Sequence, residues 1–274
     1  MTQRIPHRLR SAAGTAALLA LCASAQAAVV DVTVTVHNLA PTNSISFAPL
    51  HLGFNNGSFD AFNRGGVATA PIISVAEGGV GGAWQAAFGA ADPTATRGTI
   101  AGPLLPGATR SLTFRVDTTI NPYFTYAAMA VPSNDFFIGN DDPTEYRLFD
   151  AGGKLNLSTI GIKANEIWDA GSEVFDPAAA AFVVGGTNAL RRDQNSVVAF
   201  NFAELAAFNG LTTAAGYTLN SALTADSDVY RIEFGVSAVP EPGSYALMAA
   251  GLMAVGFVAR RRRSDTQPLG MAAA

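Results

Sequence analysis

The sequence predicts an all-β protein, an antiparallel β-sandwich with one or two short helices, and three observations carry that expectation. Several segments alternate apolar and polar residues with period two. The same segments are rich in β-branched and aromatic side chains, which fit a pleated, half-buried surface. Gly, Asn, Pro and Asp interrupt them at short intervals, with no strand–helix–strand alternation that would argue for a parallel sheet.

Taken in order, the chain opens with "MTQRIPHRLR", which holds three arginines and no acid, followed by the apolar run "SAAGTAALLALCASA" and then "AQAA". A positive start, an apolar stretch too short to span a bilayer and a small-residue cut site read as a signal peptide over 1–27, cleaved near Ala27. Cys22, the single cysteine, lies inside it, so the mature chain has no disulfide, thiolate nucleophile or thiolate ligand. In "VDVTVTVHNL" Val30, Val32, Val34 and Val36 share one face, and "RSLTFRVD" repeats the pattern with Leu112, Phe114 and Val116. "YFTYAAMAVP", "SVVAFNF" and "VYRIEFGVSAV" are further strands. "AEGGVGGAW", Ala76 to Trp84, reads as a flexible surface loop. Helix signals are confined to "DPAAAAF", with Asp176 as N-cap and Pro177 after it, and to "NFAELAAFNG", long enough for two turns before Gly210.

The end of the chain, "VPEPGSYALMAAGLMAVGFVARRRR", places a Pro-Glu-Pro turn, an apolar stretch and four arginines in that order. Tyr245 to Ala259 as a helix would measure about 22 Å, short of the roughly 30 Å hydrocarbon core, and Pro242 to Ser244 could extend it toward a marginal span. Arg260 to Arg263 would then remain cytoplasmic. This order of parts resembles the PEP-CTERM sorting signal, which implies a membrane helix as temporary anchor and an exosortase-type membrane transpeptidase as processing partner. The expected organisation is therefore a signal peptide (1–27), a sandwich domain (28–239), a sorting segment (240–264) and a disordered tail (265–274). The chain is expected to be exported, held transiently at the inner membrane, and released to the cell surface or beyond.

Charge and motif content exclude several chemistries. The formal net charge is −4, and the core from 28 to 239 is more acidic still: 19 of the 21 acids fall in it, against 10 of the 17 lysines and arginines. Nucleic acid is not an expected partner, because phosphate binding needs a basic patch. Cysteine-ligated zinc and thiol catalysis are excluded with the cysteine. His37 and His51 stand 14 apart in separate segments, read as polar strand-end or loop histidines rather than zinc ligands. No G-x-S-x-G elbow occurs, and "GGVGG" lacks the Lys-Ser/Thr of a phosphate loop.

Carboxylates remain. "PSNDFFIGNDDPTEY" carries Asp135, Asp141, Asp142 and Glu145, and "NEIWDAGSEVFD" carries Glu166, Asp169, Glu173 and Asp176. Asp135 and Asp169 each sit at the end of an apolar anchor, and two acids fixed there repel each other unless something positive lies between them. Asp169 and Glu173 are separated by Ala170-Gly171-Ser172, and Gly171 lets the chain bend so that both face one point. The spacing alone leaves three readings: a solvated acidic loop, a calcium site of oxygen ligands, or a carboxylate pair for glycoside hydrolysis. Trp168 is the expected anchor of the second segment, Glu166 a solvated acid and Asp176 a helix cap.

"MAVPSNDFFIGND" followed by "IWDAGSE" resembles the spondin N-terminal domain, with "VTVHNL", "ISFAPLHLG" and "ISVAEGG" as looser upstream matches. The resemblance implies a C2-like, spondin-type sandwich without enzymatic activity, used in matrix and adhesion proteins. It implies one Ca2+ ion held by Asp135, Asp169 and Glu173, the last standing where the family usually has aspartate. Function then reads as a cell-surface or extracellular-matrix binding or structural module, with extracellular polysaccharide or a surface protein as partner. The rivals are a secreted hydrolase acting on polysaccharide through a carboxylate pair, and a matrix scaffold without a specific site.

Overall fold

Twelve strands fall into two antiparallel sheets in the computed structural model, which describes residues 29–239, 248–257 and 260. The expected signal peptide, the Pro-Glu-Pro turn and the residues from 261 onward lie outside the described residues.

The smaller sheet is ordered β5-β1-β12-β9. Its centre is β1 (Val29–Asn38), whose valines 30, 32, 34 and 36 are all buried. Period-two alternation leaves the other face to solvent, where Thr33 meets Thr113 and Thr35 meets Ser111, each pair of hydroxyls 2.9 Å apart. β1 pairs with β5 (Thr109–Asp117) on one side and β12 (Asp228–Ala238) on the other. β9 (Thr159–Lys163) closes the far edge.

The larger sheet runs β11-β10-β7-β6-β3-β4. Its spine is β6 (Tyr123–Val131), flanked by β3 (Leu50–Asn55) and β7 (Phe136–Gly139), with the short β2 (Ser46–Phe47) and β8 (Tyr146–Arg147) also on β6. β4 (Thr96–Ile100) pairs with β3, while β10 (Trp168–Asp169) joins β7 to β11 (Ala199–Phe200). The two inner faces close one core across the sandwich through Phe54 against Phe114, Phe124 against Phe234 and Phe47 against Tyr230. Large buried side chains of this kind contribute roughly 1.5–3 kcal/mol each.

A helical layer covers the outer face of the larger sheet, and here the structure corrects the sequence reading. Helix α1 (Ala70–Gly78) begins at Thr69, whose Oγ1 accepts from the Ile72 amide, and ends at Gly79 with φ of 65°. Helix α2 (Gly82–Ala91) follows after a short link and buries Trp84 and Phe88 completely. The stretch from Ala76 to Trp84 is thus the junction of two packed helices and not a surface loop. With Phe59, Phe62, Phe137 and Trp168, these helices form a second apolar cluster. Gly53 of β3 admits α2: a Cβ there would come within 2.4 Å of the Phe88 ring.

The remaining helix expectations fare unevenly. Phe202–Phe208 forms 3-10 turns that bury Leu205 and Phe208. "DPAAAAF" makes only a turn, in which Asp176 Oδ1 accepts from the Ala178 amide at 3.0 Å. Of "SVVAFNF" only Ala199–Phe200 is strand. Residues 248–257 are helical, and no helix among the described residues is long and apolar enough to cross a membrane.

Register sets the polarity of the molecule. Val30 pairs with Ala238, so the chain enters and leaves the sandwich at one end. Asn38, Tyr230 and the end of β6 at Val131 mark the opposite end, and Asp135 and Asp169 lie toward it, while Asp141, Asp142 and Glu145 follow β7 back toward the start of β6.

Candidate functional site at the acidic end

The site begins with a turn after β6 and a loop after β10. Trp168 is 6% exposed, stacks on Phe200 at 3.8 Å and donates from Nε1 to Gly139 O at 2.8 Å. That anchor fixes Asp169 opposite Phe136, and the Ala170 amide then donates to Asp135 O at 3.1 Å. Gly171 turns the chain with φ of 63°, and a Cβ there would meet Val197 O at 2.7 Å.

The turn brings the next residues onto Asp135. Its Oδ2 accepts from Ser172 N at 2.7 Å, Ser172 Oγ at 3.1 Å and Glu173 N at 2.9 Å. Asp135 is 2% exposed, and its carboxyl is pushed up to about 7, first by burial and then by the charge of Asp169, with the Glu173 and Ser172 donors opposing. Asp169 is half-buried: its Oδ1 accepts from Gly171 N at 2.7 Å and its Oδ2 from Asn201 Nδ2 at 3.0 Å.

Glu173 departs from the expected set. Its main chain reaches Asp135, but Oε1 accepts from Asn134 Nδ2 at 3.0 Å and Oε2 faces Arg191 Nε at 3.6 Å. Arg191 also pairs with Glu77 at the end of α1 and lies 3.8 Å from Asp193 Oδ1. Burial raises the pKa of Glu173 and of Glu77, and Arg191 counters it at both. A polar cavity of about 170 Å3 adjoins this cluster, lined in part by Glu77, Ser172, Asp193 and Asn195. Glu77 Oε1 is buried with no hydrogen-bond partner.

The structure therefore joins Asp135 and Asp169, while the Glu173 carboxylate turns toward Arg191. Among the described residues no group of three or more His, Cys, Asp or Glu side chains is arranged to hold a metal ion. Of the three expected ligands, Asp135 and Asp169 interact through their charges, and the Glu173 carboxylate is engaged by Asn134 and Arg191. Glu166 is exposed as expected, yet its Oε2 accepts from Lys163 N at 2.7 Å and closes a 3-10 turn. His51 is 5% exposed, between Thr99 Oγ1 at 3.0 Å and Gly79 O at 3.2 Å, and burial lowers its pKa. His37 meets Thr109 and Glu233 on the outer face of β1. Sequence reasoning missed Glu77, Asn134, Arg191 and Asn201, because neutral amides and a distant arginine leave no local pattern. A separate apolar crevice of about 250 Å3, walled by Pro49, Pro103, Pro132, Phe182 and Tyr217, has no charged residue in its lining.

Comparison with known proteins places the tail. Residues 238–263 match the PEP-CTERM protein-sorting motif, beginning on the last residue of β12. The motif marks an exported protein with a membrane-anchoring C-terminus, processed by an exosortase-type system. No curated protein matches the chain. The spondin resemblance of the core finds no support in these comparisons, so the sandwich stands without that family assignment.

Proposed function

We propose that this exported chain is a non-catalytic binding or structural module of the cell surface or extracellular matrix, with a calcium site centred on Asp135 and Asp169. One observation carries the reading: a carboxyl that is 2% exposed faces a second acid and is pushed up to about 7. A divalent cation with a preference for oxygen would replace the proton on Asp135 and relieve its repulsion with Asp169. Asp135 and Asp169 would hold it, and its role would be to pin the turn after β6 to the loop after β10. The enclosure of Asp135 favours binding over hydrolysis, since its carboxylate is walled off from a polymeric substrate.

The register supports an orientation for the module. The sorting motif starts where β12 ends, and the acidic end lies opposite. A strand of 11 residues spans about 36 Å at roughly 3.3 Å per residue, so an anchored module would hold its acidic end well away from the tail. The partner presented with that end would be extracellular polysaccharide or a surface protein.

Thermal melts with and without millimolar calcium, at pH 7.5 to 8, test the metal. A rise of several degrees that disappears in Asp169→Asn is the expected result. A melting temperature indifferent to calcium, or an equal rise in the variant, would sink the proposal.

A further inference from the structure

A third crevice, of about 120 Å3, opens where the edge strand β9 of the smaller sheet faces β8, β10 and β11 of the larger one. Four aromatic side chains, Tyr126, Tyr146, Trp168 and Phe200, share its lining with the carboxylates of Glu145 and Glu166, and the lining holds no lysine, arginine or histidine. The two acids come from separate segments, one just before β8 and the other in the 3-10 turn before β10, so the fold brings them together. Tyr126 is 2% exposed; its hydroxyl donates to Tyr146, whose own hydroxyl donates to Glu145. Glu166 is fixed by the Lys163 amide. The outer wall already draws one cation to a ring face, with the Arg64 guanidinium 5.1 Å from the Phe200 centroid.

Neither glutamate has an ion-pair partner among the described residues. The cations nearest in sequence are committed elsewhere. Lys163 Nζ lies 3.1 Å from Asp226 O and 3.4 Å from Asp228 Oδ1, and Arg147 Nε donates to Phe149 O at 3.1 Å. Partial burial raises the Glu145 pKa, the Tyr146 hydroxyl opposes, and the charges of Asp142, Asp141 and Glu166 raise it further. The negative charge facing the crevice is thus without a counter-ion of its own.

We propose that this crevice binds an alkylammonium group, the end of a lysine side chain on a partner protein. An ammonium supplies three donors and no acceptor, which suits carboxylates that only accept. The aromatic wall favours the charge and packs the methylene stem behind it. The volume lies below the roughly 300–1,000 Å3 of pockets that enclose whole small molecules, so it admits one slender side-chain end rather than a sugar ring. The inference narrows the partner of the proposed module to a surface protein, and it rests on that module reading but not on its calcium.

Titrations in chelator, followed by the Trp168 indole N–H signal of isotope-labelled protein, test it; Trp84→Phe tells the two indoles apart. N-α-acetyl-lysine methylamide should shift that signal saturably with a millimolar dissociation constant, and its ε-N-acetyl analogue, which lacks the charge, should not. Glu145→Gln/Glu166→Gln, at two exposed positions, should bind the lysine probe about tenfold more weakly. Phe200→Leu, which removes a ring face but no charge, should also weaken it and keeps the test decisive if the glutamine variant misfolds. No saturable shift, an equal response to the uncharged analogue, or equal dissociation constants in the unaltered chain and the variants would overturn the assignment. Tighter binding of glucosamine than of the lysine probe would overturn the lysine and give the crevice to an amino sugar. None of these outcomes bears on the calcium melts, so the two readings fail separately.

Discussion

Asp135 illustrates how one carboxyl can organise a loop and carry a pH dependence. Its pKa in the fold, about 7, lies above the ordinary value of 3.8, so the folded chain binds this proton more tightly than the unfolded chain does. The stabilisation is complete below the unfolded pKa and is lost as pH rises through about 7, at no more than roughly 1.4 kcal/mol per pH unit. In chelator, melts between pH 5 and 8 should fall with rising pH, and Asp135→Asn should flatten that slope. A slope that persists unchanged in the variant would assign it to other acids. Gly171→Ala should cost about 1–2 kcal/mol or more by denaturant melts, because φ is left-handed and the new Cβ would press on the Val197 carbonyl. Trp168 as anchor and Gly171 as bend were legible in the sequence, since each follows from local pattern, whereas Asp135 and Asp169, 34 positions apart, were joined in one site only by the spondin resemblance. The Arg191–Glu173 contact was not legible, because it joins segments 18 positions apart through an irregular loop.

The helical layer is the element the sequence concealed. "AEGGVGGAW" is rich in glycine and suggests flexibility, yet the flanking signals are orthodox: Thr69 as N-cap, Pro71 in the first turn and Gly79 at the end. A second clue lay in β6, where eight of nine residues are buried. A strand buried on both faces needs cover on both, which a two-layer sandwich with a solvated outer face does not provide. Trp84 is the keystone of that cover. Trp84→Ala should cost about 3–5 kcal/mol by denaturant melts. Trp84→Phe should cost clearly less, because it keeps much of the ring packing and removes an indole N–H that has no partner. Equal losses in the two variants would contradict this account of the layer.

Over the whole molecule, the sorting motif begins on the last residue of β12, where the sandwich's strands end among the described residues. Among the described residues the last ladder pair is Val30 with Ala238, directly before the Pro240-Glu241-Pro242 sequence. Removing residues 240–274 should leave the melting temperature within about a degree while abolishing membrane retention in cell fractionation. A large drop in melting temperature would show that the tail contributes to the core.

The sequence by itself determined the β-rich architecture, the central strands and the sorting motif, because period-two burial and a linear signal are local properties of the chain. It also brought forward the two acids that meet. Tertiary structure alone decided the third layer, the burial that raises Asp135, and the partner of Glu173. Each of those depends on which distant segments share a neighbourhood, and electrostatic energy follows distance and solvent exclusion rather than spacing along the chain.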